Sequence, residues 1–194
     1  GDPRLQGRLR LVRAHNVEHD YYTALAKAEG NAFRRTYFIN EARKLQRFEP
    51  VLSEADHILA ISPKDESYFA GHFRSVTHIP AFHAGDKVEV PDGLSDFAFY
   101  HGALGVAEND QAALFLARKV FKDLPVKLVI AGSDASSELK REIGRNANIE
   151  LRENIGTEEI HRLVRSAQVN VLPTFQATGI KLKLLLCLFT GRHV

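Results

Sequence analysis

The chain contains no methionine, no tryptophan and a single cysteine among its 194 residues. One cysteine excludes a disulfide framework within the chain and favours a reducing compartment. Cys187 sits in an apolar helix pattern, where it reads as a small packed hydrophobe. No run of about 18 apolar residues is present, and no signal-peptide pattern opens the chain, so the sequence reads as cytoplasmic rather than membrane-spanning or exported. Neither G-x-G-x-x-G nor G-x-x-x-x-G-K-[ST] occurs, which argues against a dinucleotide-dependent dehydrogenase and a P-loop enzyme. Charge segregation is also missing. The formal charge is only +2, with acidic and basic residues intermixed, so nucleic acid is not an expected partner. Methionine is lacking even at position 1, and the chain stops at Arg192-His193-Val194, where a strand pattern is starting. Both features point to a piece of a longer protein.

Hydrophobic residues make up 44% of the chain and charged residues 26%, a globular balance with enough apolar material for one large or two small domains. Leu9 to Ala14 reads as a strand, followed by a helix with Asn16 as N-cap that runs to about Ala28 and stops at Gly30-Asn31. In the next helix Phe33, Tyr37, Leu45, Phe48 and Leu52 fall near one face, while Arg34, Arg35, Arg43, Lys44 and Arg47 occupy the rest. That pattern suits an ordinary surface helix, and it also admits a peripheral position on an anionic membrane. His57 to Ile61 and Val76 to Ile79 read as buried strands ended by Pro63 and Pro80, with a helix from Lys64 to Phe73 between them. Residues 81–95 lose periodicity and collect Gly85, Pro91, Asp92 and Gly93. The expected division is therefore residues 1–82, a linker over 83–95, and a second domain over 96–194.

The second domain alternates strands and helices. Strands are predicted at Phe97 to Tyr100, Lys127 to Ala131, Ile149 to Leu151 and from Val169. Helices are predicted near Ala107 to Phe121, Ser136 to Arg145, and Glu158 to Ser166 with Thr157 as cap. This is the α/β pattern of a doubly wound parallel sheet. In such sheets ligands bind beyond the carboxyl ends of the strands, so the turns at His101-Gly102-Ala103-Leu104, Gly132-Ser133, Glu153-Asn154 and Thr174 to Gly179 should line one crevice.

Two stretches suggest chemistry. In Pro173 to Lys183 (PTFQATGIKLK), an apolar strand stops at a proline and passes through small residues into an almost wholly apolar helix that Thr178 and Gly179 are placed to open. Lys181 and Lys183 bring cations to a helix start, where the dipole is already positive. An anion such as a phosphate or diphosphate would relieve that placement, and two solvated lysines would also satisfy it. The second stretch, His15-Asn16-Val17-Glu18-His19, fits the H-x-x-E-H spacing of inverted zinc peptidases, with Glu89 as a candidate third ligand. That chemistry needs both histidines on one helix face, yet the predicted helix starts between them. The other reading is a polar strand-to-helix loop beside an interdomain cleft, in which His15, Glu18 or His19 orients a sugar hydroxyl or serves as a general base. Capping alone would also account for these residues.

VRAHNVEHDYY, ADHILAIS, the turn Phe99 to Leu104 followed by Glu108-Asn109, LVIAG and SAQVNVLPTFQATGIKLKLL together resemble bacterial group 1 (family 4) glycosyltransferases of the GT-B fold. The resemblance spans nearly the whole chain and is nearest to a subgroup of Bacteroidetes-type polysaccharide synthesis. It implies two Rossmann-like domains, residues 1–82 being the end of the acceptor-side domain and 96–194 most of the nucleotide-sugar domain. It also implies retaining sugar transfer from a nucleotide-sugar donor to a glycan or lipid-linked acceptor, at the inner face of the cytoplasmic membrane. No cofactor is expected, because the nucleotide-sugar is a substrate and the family's transfer is metal-independent. By the same resemblance His101, Gly102, Ala103 and Gly132 contact the donor. Gly179 and Lys183 fit a G-x-x-x-K that holds the diphosphate, with Thr178 and Lys181 beside it. Leu186 stands where many relatives carry a ribose-binding glutamate, and Ala103-Leu104 where many carry an arginine. Two other function classes are compatible with the sequence: a non-catalytic nucleotide- or sugar-binding module that pairs with a partner chain, and a zinc hydrolase.

Overall fold

The computed structural model describes residues 6–83, 85, 87–175 and 181–194, and these divide into two compact units, one ending at Phe82 and one from His83 onward. In the first unit β1 (Leu11–Ala14), β2 (His57–Ala60) and β3 (Val76–His78) form a parallel sheet in that order. Between β1 and β2 run α1 (Glu18–Ala28), α2 (Ala32–Phe48) and a 3-10 segment (Glu49–Glu54), and α3 (Pro63–Ala70) joins β2 to β3. Ala14, Val17, Ile58, Ala60 and Phe69 form the buried centre.

Local chemistry sets these boundaries. Asn31 caps α2 by accepting the N–H groups of Phe33 and Arg34, and Ser62 caps α3 by accepting that of Asp65, with Pro63 preset for the first turn. Several ends differ from the sequence reading. β1 begins at Leu11 because the N–H of Arg10 is taken by the Asp56 carboxylate at 2.7 Å. Val17, not Asn16, precedes the first turn of α1, which has no side-chain cap and instead carries Glu18 and Asp20 against the helix dipole. α3 stops at Ala70, one residue before Gly71.

The second unit is a four-stranded parallel sheet in the order β6 (Ile149–Glu153), β5 (Lys127–Gly132), β4 (Phe97–His101), β7 (Val169–Asn170). α4 (Ala107–Phe115) continues as a π turn through Val120, and α5 (Ser137–Ile143), α6 (Thr157–Ser166) and α7 (Leu182–Thr190) complete the unit. Alternate strand residues serve opposite faces. Ala98, Tyr100, Leu128 and Ile130 pack with Leu116 and Leu139, while Phe99, Val129 and Ala131 pack with Leu163, Val164 and Cys187. Burial on both faces is why these strands read as continuous apolar runs.

β7 is shorter than predicted, with only Val169 and Asn170 in its ladder before the chain reaches Pro173. Gly156 rather than Thr157 is the N-cap of α6. α7 begins at Leu182 with Lys181 as N-cap, and Thr178 and Gly179 lie outside the described residues. Among the described residues no helix is long and apolar enough to cross a membrane.

Candidate functional site

The order of the second sheet contains one reversal. From β4 the chain steps outward to β5 and then β6, and afterwards returns to the other side of β4 to add β7. Loops leaving two neighbouring parallel strands in opposite directions open a crevice at their carboxyl ends. Here those loops begin at His101 and after Asn170, the first leading into α4 and the second into α7.

Backbone bonds tie the predicted turns together at this edge. Gly102 donates to the Ala131 carbonyl at 3.1 Å, Gly105 to that of Ser133 at 3.1 Å, and Asn154 to that of Gly132 at 3.0 Å. Asp134 and Asn154 adopt φ of 58° and 57°, the left-handed region in which Asp and Asn are the readiest non-glycine residues. Gly132 is there for want of room. A Cβ on it would overlap the carbonyl oxygen of Gly102 and lie 2.8 Å from Cγ of Leu104.

Lys183, in the first turn of α7, reaches back over the end of β4. Its Nζ donates to Oδ1 of Asn109 at 3.1 Å and lies 3.5 Å from the carbonyl oxygen of His101, with the Tyr100 ring centroid at 4.9 Å. These partners are all neutral. Among the described residues no carboxylate is within ion-pair distance of Lys183, and burial lowers its pKa from the usual lysine value. Lys181 differs. Its ammonium is paired with both oxygens of Glu108, at 2.9 and 3.1 Å, and Glu108 also accepts the Thr174 hydroxyl at 2.8 Å.

Asn109 links the loop to the lysine. It donates from Nδ2 to the Ala103 carbonyl at 3.1 Å while accepting Lys183, and its backbone carbonyl accepts the Tyr100 hydroxyl at 3.0 Å. Gly102 leaves room for it, since a Cβ there would lie 2.9 Å from Cγ of Asn109. His101 stacks on Phe99 at 5.5 Å, and its Nε2 is buried without a hydrogen-bond partner among the described residues. Burial, then Lys183, then His161 push its pKa down to about 4, so the imidazole is neutral at pH 7.

The arrangement therefore offers a cation in the first turn of a helix that has no carboxylate partner among the described residues, and a neutral imidazole, beside a turn packed closely at Gly102 and Gly132. It is suited to an anion with polar substituents.

Over 76% of its length the chain superposes with a TM-score of 0.59 on two crystal structures of TarM, a GT-B glycosyltransferase, at 13% and 12% identity. The fold is GT-B-like. One of the two structures is an S. aureus TarM point mutant in complex with Fondaparinux, alpha-GlcNAc-glycerol and UDP. In sequence the chain is 29% identical over 192 residues to an uncharacterized 44.6 kDa protein in the cps region of Klebsiella pneumoniae, a match that covers 92% of the chain. It spans 49% of that protein and 30–31% of the TarM chains. No protein-family model matches.

Of the predicted donor residues, the structure brings His101, Gly102, Ala103, Gly132 and Lys183 to one edge of the second unit, with Lys181 beside them in its pair with Glu108. Thr178 and Gly179 lie outside the described residues. The sequence reading left Glu108 and Asn109 out of the site, although the signal was present: both open the helix that follows the His101 turn.

His15, Glu18 and His19 belong to the first unit, and α1 begins at Glu18, so His15 is not on the helix and the H-x-x-E-H face is not formed. His15 and Glu18 are exposed. His19 is engaged: its Nδ1 lies 3.2 Å from Oε2 of Glu49, whose Oε1 accepts the Tyr68 hydroxyl at 2.6 Å. No group of three metal-ligating side chains occurs among the described residues.

Proposed function

We propose that the chain is the donor-binding and part of the acceptor-side portion of a glycosyltransferase that moves a sugar from a nucleotide-sugar to a glycan or lipid-linked acceptor in cell-surface polysaccharide synthesis. The observation that carries this reading is Lys183, a partly desolvated ammonium without a carboxylate partner among the described residues, at the switch point of a GT-B-like sheet. The UDP bound in a TarM complex and the cps-region location of the Klebsiella relative support the same reaction class.

In this reading the diphosphate displaces the neutral acceptors around Lys183 and takes its charge. As the sugar leaves, negative charge accumulates on the diphosphate oxygens, and a fixed ammonium at a helix start stabilises that charge without a metal. Lys181 contributes less, because Glu108 already neutralises it. Neutral His101 adds a hydrogen-bonding nitrogen to the donor without adding charge. On the acceptor side, the sequence assigns His15, Glu18 or His19 to orienting a sugar hydroxyl or serving as a general base, and His19 is held by Glu49. Retention of anomeric configuration is inferred from the family resemblance, and the anomer of the product, read by proton NMR, tests it.

Calorimetric titration with UDP and other nucleoside diphosphates tests the donor site. Binding by the protein and its loss in Lys183→Ala are expected. Binding that the substitution leaves untouched would overturn the assignment.

A further inference from the structure

Glu108 and Asn109 are neighbours in the first turn of α4, and each takes one of the two lysines that open α7. Asn109 gives Lys183 a neutral acceptor, whereas Glu108 receives the Lys181 ammonium on both carboxylate oxygens, at 2.9 and 3.1 Å. The Glu108 side chain is only 12% accessible, and one of its oxygens also accepts the Thr174 hydroxyl at 2.8 Å. Thr174 and Lys181 thus fix the carboxylate in place. Glu108 and Lys181 both act on Lys183 electrostatically, with opposite sign, Glu108 favouring its charged form and Lys181 disfavouring it.

Two ammoniums and one carboxylate give this edge a net charge of +1. The value matters because sugar transfer changes the charge of the ligand. A nucleotide-sugar carries about −2, one charge on each phosphate of its diphosphate. When the bond from the anomeric carbon to the outer phosphate oxygen breaks, that oxygen keeps the electron pair. The nucleoside diphosphate left behind carries about −3 at pH 7, since the second ionisation of a terminal phosphate has a pKa of about 6.

We propose that Glu108 is a specificity-determining residue that keeps the site from binding the nucleoside diphosphate product much more tightly than the nucleotide-sugar donor. It acts through Lys181, whose charge it cancels, and leaves Lys183 as the cation that meets the diphosphate. Attraction scales with the product of the charges, so each further positive charge in the site favours the product over the donor. Pairing Lys181 within the protein limits that preference and eases the exchange of product for fresh donor. The inference rests on the reading of this edge as the donor's diphosphate site, and adds to it the discrimination between the two ligands that share it.

Calorimetric titration with UDP, GDP, ADP and dTDP, each beside its glucose ester, tests the inference on the parent and its variants. Glu108→Gln keeps the side-chain shape and an acceptor for Thr174 but releases the charge of Lys181. It should tighten the nucleoside diphosphate that the parent binds about tenfold and its glucose ester about threefold, with both gains shrinking at high salt. Lys181→Gln leaves the carboxylate uncompensated and should do the reverse, weakening the diphosphate more than the ester. The two changes together restore the parent's net charge and should restore its ratio of the two affinities. Asp123→Asn removes an exposed carboxylate in the turn before β5, at the opposite end of the sheet, and should alter neither affinity. A residue that only held the fold together would, on substitution, weaken both ligands alike. The inference is overturned if Glu108→Gln weakens the diphosphate, if it tightens both ligands by the same factor, or if the double variant keeps the gain. Each of those results, with the parent still binding a diphosphate, leaves the donor-site reading standing. No binding of any of the four by the parent would remove that reading and this inference together.

Discussion

The side-chain oxygen of Asn109 lies 3.1 Å from Nζ of Lys183, while its amide nitrogen holds the Ala103 carbonyl. One residue thus fixes both the cation and the loop opposite it. Asn109→Ala should weaken nucleoside diphosphate binding about tenfold, through a freer lysine and a looser loop, and Lys183→Ala should weaken it by more. Asn109→Asp separates this from a packing role. The carboxylate keeps the shape yet pairs with Lys183 and competes with phosphate, so binding should fall below that of the alanine variant. Calorimetry on the three variants gives the order.

Gly132→Ala places a methyl group against the Gly102 carbonyl oxygen and Cγ of Leu104. Backbone cannot yield there without moving the turn at the end of β4, so a loss of about 1–3 kcal/mol in stability is expected. Gly144→Ala is the comparison within the same unit. Its new Cβ would meet only ordinary contacts at 3.5 and 3.7 Å, so its stability should stay within about 0.5 kcal/mol of the parent. Chemical denaturation of the two variants measures the difference.

Much of this edge could be read from the sequence. The apolar runs FAF and LVIA, each followed by a turn, mark strands buried on both faces, and their alternation with helices implies parallel order. The helix start drew attention to Lys181 and Lys183 alike, and the family resemblance singled out Lys183. What sequence could not supply was the partner of each cation. Glu108 takes Lys181 across 73 positions and Asn109 takes Lys183 across 74, and only the sheet order brings α4 beside α7. Arg192 is a similar case. It reads as the start of a strand, yet its guanidinium donates to the carbonyls of Arg165, Ser166 and Ala167 at the end of α6.

The Glu49 carboxylate joins His19 and Tyr68, two side chains far apart in sequence, and all three are largely shielded from solvent. A hydrogen bond from a hydroxyl to a charged acceptor contributes more than a neutral one, so Tyr68→Phe should destabilise the first unit by about 1–2 kcal/mol. His15→Ala, at an exposed position, should leave stability unchanged. If His15 orients an acceptor hydroxyl, its loss should appear in kcat/KM alone, which separates it from Tyr68 in paired melting and turnover measurements.

His101 gives the protein a pH dependence of known sign. Its folded pKa is about 4 against 6.5 for a free imidazole, because burial and the nearby Lys183 and His161 disfavour the cation. Between those values the unfolded chain binds the proton and the folded one does not. Stability is therefore full above about pH 6.5 and declines as pH falls toward 4, by up to about 3 kcal/mol. His101→Gln should remove most of that decline, as measured by denaturation at a series of pH values. A bound diphosphate should act in the opposite direction, since its charge offsets that of Lys183 and raises the imidazole pKa. The decline should then begin at lower stability cost in saturating nucleotide than without it. A nucleotide that left the His101 titration unchanged, followed by NMR of the imidazole, would place the diphosphate away from Lys183.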